Sequence, residues 1–379
     1  MQFRFPCLSL LAMCLATSSA FAQEQVVKIG HVGPLSGPIA HLGKDNENGA
    51  RMAIDVLNAK GMTLGGKKVK FQLVAEDDGA NPQQATSVAQ KLTDAKVTGV
   101  IGHLNSGTTI PASKIYHDHG IPQISPSATN PKYTQQGYKG AFRVVANDGQ
   151  LGGALGRYAA NTLKSKNVAI IDDRTAYGQG VADEFAKAAK AAGINIVGRQ
   201  YTTDKATDFN AILTAIKGKQ PDLVFFGGMD AVGGPMLRQM KQLGINAKFM
   251  GGDGICTEQL PSLAAGAMGD GQVVCAEAGG VEESGKKAME SFRADYKKKF
   301  GTEVKLYAPY VYDAVMVMAD AMQRANSAEP AKYLPELAKT SYQGVTGKIE
   351  FDARGDMKQG TLTLYTYEAG KRSQITVVR

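Results

Sequence analysis

Repeated alternation of short apolar runs with amphipathic stretches is the feature that most restricts how this chain can fold. The apolar runs predict strands at 26–30, 68–74, 97–101, 122–125, 168–172, 195–199 and 223–226, and a further short strand ending at Met250. The periodicity between them predicts helices at 49–57, 82–92, 152–163, 180–192, 209–216 and 235–243, and the tail of a helix at 113–119. This rhythm is typical of parallel sheets that are covered by helices on both faces.

The length of the chain, 379 residues, exceeds what one such sheet usually contains. The segment 142–149 ends one strand–helix series with a polar turn, and a second series begins after it. We therefore predict an α/β protein with two doubly wound lobes. In open sheets of this kind, ligands bind beyond the carboxyl ends of the strands.

The predicted strand ends carry small, hydroxylic and glycine-rich segments, at 33–37, 104–109, 125–129, 172–177, 227–230 and 251–254. Such segments expose backbone N–H groups near helix N-termini, and those positions favour anions. A small anionic or zwitterionic ligand is therefore a reasonable expectation at these ends.

The first 22 residues have the pattern of a secretory signal peptide: Arg4, an apolar run at 7–16 and the small-residue site Ala20-Phe21-Ala22. We predict cleavage after Ala22 and export to the periplasm. The apolar run is too short to span a bilayer, and no later stretch approaches that length. A lipoprotein site at Cys14 is the alternative, which the bulky residue before that cysteine disfavours.

Cys256 and Cys275 are the cysteines that remain after such cleavage. In an oxidising compartment we expect them to form one disulfide. Two buried thiols are the alternative.

Charge and motifs argue against nucleic-acid binding and catalysis. The formal net charge is +8, but the basic residues are mostly isolated and the longest basic run is 297–299, so no nucleic-acid partner is predicted. A near match to a phosphate loop at 61–68 has Lys68 where Ser or Thr is required. His117 and His119 are two residues apart and do not share a helix face. We predict no enzyme, no cofactor and no metal site, with a secreted α/β hydrolase as the minor alternative.

Several sequence blocks at the strand ends match a known family. They are LSGP at 35–38, IGHLNS at 101–106, PAS at 111–113, ISPSATNP at 124–131 and YG at 177–178. From about residue 26 to its end, the chain resembles the periplasmic Leu/Ile/Val-binding proteins of bacterial ABC importers.

The resemblance implies a type I periplasmic binding protein, with two lobes joined by a three-crossover hinge. Lobe one would comprise 24–146 and 277–358, and lobe two 147–276 and 359–379. It also implies a monomer that does not span the membrane, binds a branched-chain or related amino acid between its lobes and delivers it to a membrane permease. A sensor of the same fold, for a non-branched amino acid, an amide or an aromatic acid, is the alternative.

The resemblance assigns ligand contacts to Asn105, Ser106, Ser127, Ala128, Thr129, Tyr177, Met229, Asp230 and Asp253. The hydroxyls of Ser106 and Thr129, with the backbone N–H groups of Ser127 and Thr129, would hold the ligand carboxylate. Asp253 and the Ser127 carbonyl would accept from the ammonium. The ring of Tyr177 would cover the ligand.

The sequence departs from the family pattern at several of these positions. Met229 replaces an aromatic residue, Leu42 replaces a tyrosine, and Asp253 is one methylene shorter than the usual glutamate. Capture of the amino-acid head group should survive these changes, whereas specificity for Leu, Ile or Val need not. Asp230 either favours a polar or basic ligand side chain or faces solvent. For Tyr307, core packing is favoured over a place at the hinge side of the cleft.

Overall fold

The computed structural model describes residues 24–378, so the predicted signal peptide and its alternative at Cys14 lie outside the described residues. In chain order, the first series is β1 (Gln25–Gly33), α1 (Ala40–Lys60), β2 (Met62–Leu64), β3 (Lys67–Asp77), α2 (Pro82–Asp94), β4 (Gly99–Ile101), α3 (Ser106–Asp118), β5 (Gln123–Ser125), α4 (Lys132–Gln135) and β6 (Ala141–Arg143). These strands form a six-stranded sheet in the order β2-β3-β1-β4-β5-β6. All its neighbours are parallel except β2 with β3.

The second series is α5 (Asp148–Asn161), β7 (Asn167–Asp172), α6 (Ala176–Ala191), β8 (Asn195–Tyr201), α7 (Asn210–Lys217), β9 (Leu223–Gly227), α8 (Asp230–Gln242), β10 (Lys248–Gly251), α9 (Leu260–Ala264) and β11 (Val273–Glu277). Its five strands pair in parallel. The predicted α/β class with two doubly wound lobes is confirmed.

The remaining elements are α10 (Lys286–Phe300), α11 (Ala308–Arg324), α12 (Pro330–Ala338), β12 (Ser341–Gly344), β13 (Gly347–Glu350), β14 (Leu362–Glu368) and β15 (Lys371–Val378). Helix α11 packs against α1 and β4 of the first lobe. The last two strands instead add to the second sheet, whose order is β15-β14-β11-β10-β9-β7-β8. The chain therefore crosses between the lobes three times, after β6, after β11 and before β14. The lobe boundaries that the resemblance implied stay a prediction.

Apolar side chains cover both faces of each sheet. Helices α1 and α11 lie on one face of the first sheet, and α2 and α3 pack together on the other. In the second lobe, α5 and α6 cover one face, while α7 and α8 belong to the cluster on the other. Burial on both faces explains why the central strands are continuous apolar runs. Within residues 24–378, no helix combines the length and apolarity that crossing a bilayer requires.

Candidate functional site

A cleft between the lobes lies at the carboxyl ends of β4, β5, β7, β9 and β10, where open sheets of this kind bind ligands. It is narrow and is lined by Leu104, Asn105, Ser106, Ser127, Tyr177, Met229, Asp253 and Tyr307. The structure thus brings six of the nine predicted contact residues to one cleft. Ala128 and Thr129 lie in the same loop as Ser127 and are buried without lining it.

The loop after β5 is held by hydrogen bonds that leave one hydroxyl free. Ser127 Oγ donates to the Leu104 carbonyl at 3.0 Å, and the backbone N–H of Ala128 donates to Ser125 Oγ at 2.9 Å. Thr129 Oγ1, in contrast, is buried and has no hydrogen-bond partner among the described residues. Buried polar groups are rarely left unpaired. The Thr129 hydroxyl also lowers the pKa of Asp148, and Thr129 does not itself line the cleft, so the Asp148 carboxyl competes with a ligand carboxylate for this hydroxyl.

The Ser106 hydroxyl lies at the start of α3 and contacts the same loop. Ser106 Oγ accepts a hydrogen bond from the backbone N–H of Asn130 at 3.2 Å, and its own hydrogen remains available for a second acceptor. The first turn of α3 also directs backbone N–H groups toward this side. Two hydroxyls and a helix N-terminus together make this wall suitable for a carboxylate.

Asp253 forms the opposite wall from a 3-10 turn, Asp253–Ile255, which follows β10. Its Oδ2 accepts from the Tyr307 hydroxyl at 2.7 Å, whereas Oδ1 is buried with no partner among the described residues. Burial raises the pKa of Asp253 to about 6, against the opposing hydrogen bonds of Tyr307 and Tyr177. An unpaired carboxylate oxygen at this position can accept a hydrogen bond from the N–H of a cationic group.

Tyr177 fixes the turn that carries Asp253. Its hydroxyl accepts from the backbone N–H of Gly254 at 2.8 Å. A Cβ on Gly252 would lie 2.7 Å from the Tyr177 hydroxyl, and one on Gly254 would lie 2.8 Å from the ring. The two glycines beside Asp253 therefore allow the aromatic ring to pack directly onto the turn.

Two further residues of this region were not among the predicted contacts. Tyr307 is buried in the apolar cluster, as favoured, and it also lines the cleft and its hydroxyl donates to Asp253. Asp148, at the start of α5, is fully buried and neither of its carboxylate oxygens has a partner among the described residues. Its backbone N–H donates to the Thr129 carbonyl at 2.8 Å, which places it directly behind the loop after β5. An acidic residue following Asn147 at a capping box was the available signal.

The surroundings of the Asp148 carboxyl oppose its ionisation. Burial raises its pKa to about 8, with nearby Asp253 and Glu184 adding to the rise and the Thr129 hydroxyl and Arg143 opposing it. The region around the cleft therefore contains two buried carboxyl groups whose free oxygens have no cationic partner among the described residues.

Asp230 occupies neither of the places that the sequence left open for it. It is fully buried and is absent from the cleft lining. Its Oδ2 lies 2.8 Å from His41 Nε2 and accepts from Thr257 Oγ1 at 2.6 Å. Because His41 belongs to α1 and Asp230 begins α8, this contact joins the two lobes. Leu42, next to His41, is fully buried in the core.

The predicted disulfide between Cys256 and Cys275 is confirmed, with a Cα–Cα distance of 5.3 Å. It joins the residue that follows the Asp253 turn to β11. The bond therefore fixes the acidic wall of the cleft to the second sheet.

Comparisons with known proteins agree with this architecture. A family model described as periplasmic binding protein matches residues 26–372. An amino acid binding protein of Pseudomonas aeruginosa is 36% identical over 377 residues, which cover 98% of each chain. The leucine-, isoleucine-, valine-, threonine- and alanine-binding protein of the same organism is 32% identical over 357 residues, 94% of each chain.

The solved structures include a similar fold with a bound ligand. The substrate-binding protein of a branched-chain amino acid transporter from Streptococcus pneumoniae, in complex with isoleucine, has a TM-score of 0.84 at 28% identity. The match covers 93% of this chain and 99% of that one. The chain therefore belongs to the periplasmic binding protein family and, within it, to the Leu/Ile/Val-binding proteins.

Proposed function

We propose that this protein is an exported solute-binding protein of an ABC importer that binds one amino acid between its lobes and delivers it to a membrane permease. The observation that carries the proposal is a pair of polar atoms, one on each side of the cleft, that lack a hydrogen-bond partner. Thr129 Oγ1 on one side and Asp253 Oδ1 on the other are buried and have no partner among the described residues. An α-amino acid supplies both missing partners, a carboxylate and an ammonium.

The carboxylate belongs at the Ser106 and Thr129 wall. Both hydroxyls can donate to it, and the backbone N–H groups of Ser127 and Thr129 are the further donors that we assign. Hydrogen bonds to an ionised acceptor are stronger than neutral ones, so no basic side chain is required. The partial positive charge at the N-terminus of α3 acts in the same direction.

The ammonium belongs at Asp253. Its free Oδ1 and the Ser127 carbonyl serve as acceptors, while the Tyr307 hydroxyl holds Oδ2 in place. A cation there relieves the desolvation that raises the pKa of this carboxyl. Ala128 has no polar side chain to offer the ligand, and its backbone carbonyl already accepts a hydrogen bond from Arg143 Nη1 at 2.8 Å.

Ligand binding is coupled to closure of the two lobes, which we assign to 24–146 with 277–358 and to 147–276 with 359–379. Ser106 and Thr129 belong to one lobe, and Tyr177 and Asp253 to the other. A ligand that contacts both lobes binds the closed form better than the open form and shifts the population toward it. The closed form then delivers the ligand to the permease from the periplasm, where the signal peptide directs the chain. Nothing in this cycle requires catalysis by the chain itself.

The head-group site can be tested by thermal shift with each of the twenty amino acids at 1 mM. At least one should raise the melting temperature, and Ser106→Ala combined with Thr129→Val should weaken its binding by about a hundredfold, because each hydroxyl gives a bond to an ionised group. Ser113→Ala removes a hydroxyl of the same helix α3 that bonds the Ile110 carbonyl, and serves as the control. Stabilisation by benzoate or acetamide but by no amino acid contradicts the proposal, as does unchanged affinity in the double variant.

A further inference from the structure

The side chain of Asn105 is a polar group of the cleft whose hydrogen bonding is incomplete. Asn105 is the N-cap residue of α3, yet its side chain makes no capping hydrogen bond. Its Oδ1 is buried and has no partner among the described residues. By contrast, Asn81 and Asn147, which cap α2 and α5, each accept from a backbone N–H of their own helix. The Asn105 side chain therefore does not make the capping hydrogen bond that an N-cap asparagine usually makes.

Asn105 is placed to contact the side chain of the ligand rather than its head group. Asn105, Tyr177 and Met229 line both the cleft and the wider mouth that opens from it. An amino acid whose head group is held by Ser106 and Asp253 extends its side chain toward this opening. Leu104 and Met229 give the inner cleft apolar walls, whereas the mouth also carries polar side chains such as Arg174 and Asp204.

The chemistry of an amide limits which side chains satisfy it. A carboxamide presents an acceptor and two donors, so a ligand hydroxyl or carboxamide can pair with it in either orientation of the amide. An aliphatic ligand side chain instead excludes water from Asn105 and leaves a buried acceptor unpaired. Sites built to bond a ligand hydroxyl reject analogues that lack it much more strongly than apolar pockets reject an added hydroxyl.

Resting on the amino-acid function proposed above, we propose that Asn105 is a specificity-determining residue that selects ligands with a hydroxyl or carboxamide on the side chain over aliphatic ligands of the same shape. L-Threonine and L-valine are the diagnostic pair, because they differ by a hydroxyl in place of a methyl group.

Isothermal titration of the full chain with L-threonine and L-valine tests the proposal. The wild-type protein should bind L-threonine at least about tenfold more tightly, and Asn105→Leu should bring the ratio of the two affinities close to one. Asn81→Leu, the same substitution at an exposed N-cap on α2, should leave the ratio unchanged. Wild-type titration with L-serine and L-2-aminobutyrate gives a second isosteric pair that does not depend on any variant folding.

The outcomes separate this inference from the proposed function. Equal affinities within both isosteric pairs, or a threonine preference that persists in Asn105→Leu, overturn the role of Asn105 while the amino-acid site stands. If the panel of twenty amino acids gives no binding at all, the proposed function fails and the inference fails with it.

Discussion

Asp148 is the residue of this region whose ionisation is most opposed by its surroundings. It is fully buried behind Thr129, with Asp253 and Glu184 as negative neighbours and Arg143 as the positive one. Arg143 is itself committed to Asp356 at 2.7 Å and to the Ala128 carbonyl, so it does not neutralise Asp148. A protonated carboxyl is the form that fits a site of this kind.

We predict that Asp148→Asn makes the ligand-free protein more stable at alkaline pH. Burial raises the pKa of Asp148 to about 8 from 3.8, so the folded protein retains a proton that the unfolded chain releases. Stability contributed by this group is therefore full below pH 4 and is lost as the pH rises toward 8. Urea denaturation at pH 8 should give the variant a free energy of unfolding higher than wild type by about 5 kcal/mol, the value of a shift of this size.

The comparison at low pH provides the internal control for this substitution. At pH 3, below the ordinary aspartate pKa of 3.8, the asparagine variant and wild type should be nearly equally stable, since both carry a mostly neutral side chain in either state. Asp204→Asn, at an exposed aspartate, should follow wild type throughout. A constant difference between the Asp148 variant and wild type from pH 4 to pH 8 contradicts a protonated Asp148.

At this scale, the sequence predicted residues that belong to local motifs and missed those that act through distant contacts. Ser106 and Ser127 were found because their hydroxyls occur in recognisable blocks directly after strands. For Tyr307 the cleft was only the less favoured alternative, because its partner, Asp253, is 54 residues away along the chain. No local pattern links a tyrosine before one helix to an aspartate in a distant turn.

At the scale of elements, the helices next to the cleft begin earlier than hydrophobic periodicity predicted. Helix α6 begins at Ala176 rather than 180 and α8 at Asp230 rather than 235, and α3, of which only the tail was predicted, begins at Ser106. Their first turns border the cleft and carry small or polar residues, so the apolar repeat starts only one or two turns later. Prolines within α3 and α8 also favoured the later starts. The strands lack this problem because most of their length is buried on both faces.

We predict that the disulfide contributes about 3 kcal/mol to the free energy of unfolding, because it closes a loop of 19 residues in the unfolded chain. The double variant Cys256→Ala and Cys275→Ala should show this loss in urea denaturation. Both sulfur positions are fully buried, so the variant also loses some packing. Because the bond fixes the Asp253 turn to β11, ligand affinity should fall as well.

Reduction supplies the control for the disulfide. Dithiothreitol should lower the melting temperature of wild type toward that of the double variant, and should leave the variant unchanged. Wild-type protein that keeps its melting temperature after complete reduction, shown by thiol titration, contradicts a stabilising role for the bond.

At the scale of the whole molecule, closure of the cleft depends on contacts that the ligand does not make. The Asn130 side chain donates to the Ala176 carbonyl at 2.7 Å, and His41 contacts Asp230 at 2.8 Å. Each pair joins a lobe-one residue to a lobe-two residue. The sequence predicted two lobes from its strand–helix rhythm, but such pairs between lobes arise only from how the lobes meet. Asp230 illustrates this, because nothing in the sequence around it indicated that its side chain contacts His41.

We predict that His41→Ala weakens ligand binding about five- to tenfold although His41 does not line the cleft, because it removes a partly buried hydrogen bond between the lobes. The measurement is stopped-flow binding of the amino acid that gives the largest thermal shift. The dissociation rate should rise while the association rate stays nearly constant. Asp230→Ala should have a similar effect, and the double variant should be no weaker than Asp230→Ala alone, since each substitution removes the His41 contact. Arg51→Ala on the same helix, which breaks only an exposed pair with Glu47, should leave both rates unchanged. Independent, additive effects of the His41 and Asp230 substitutions contradict a shared contact between the lobes and leave closure to the ligand and the Asn130 pair.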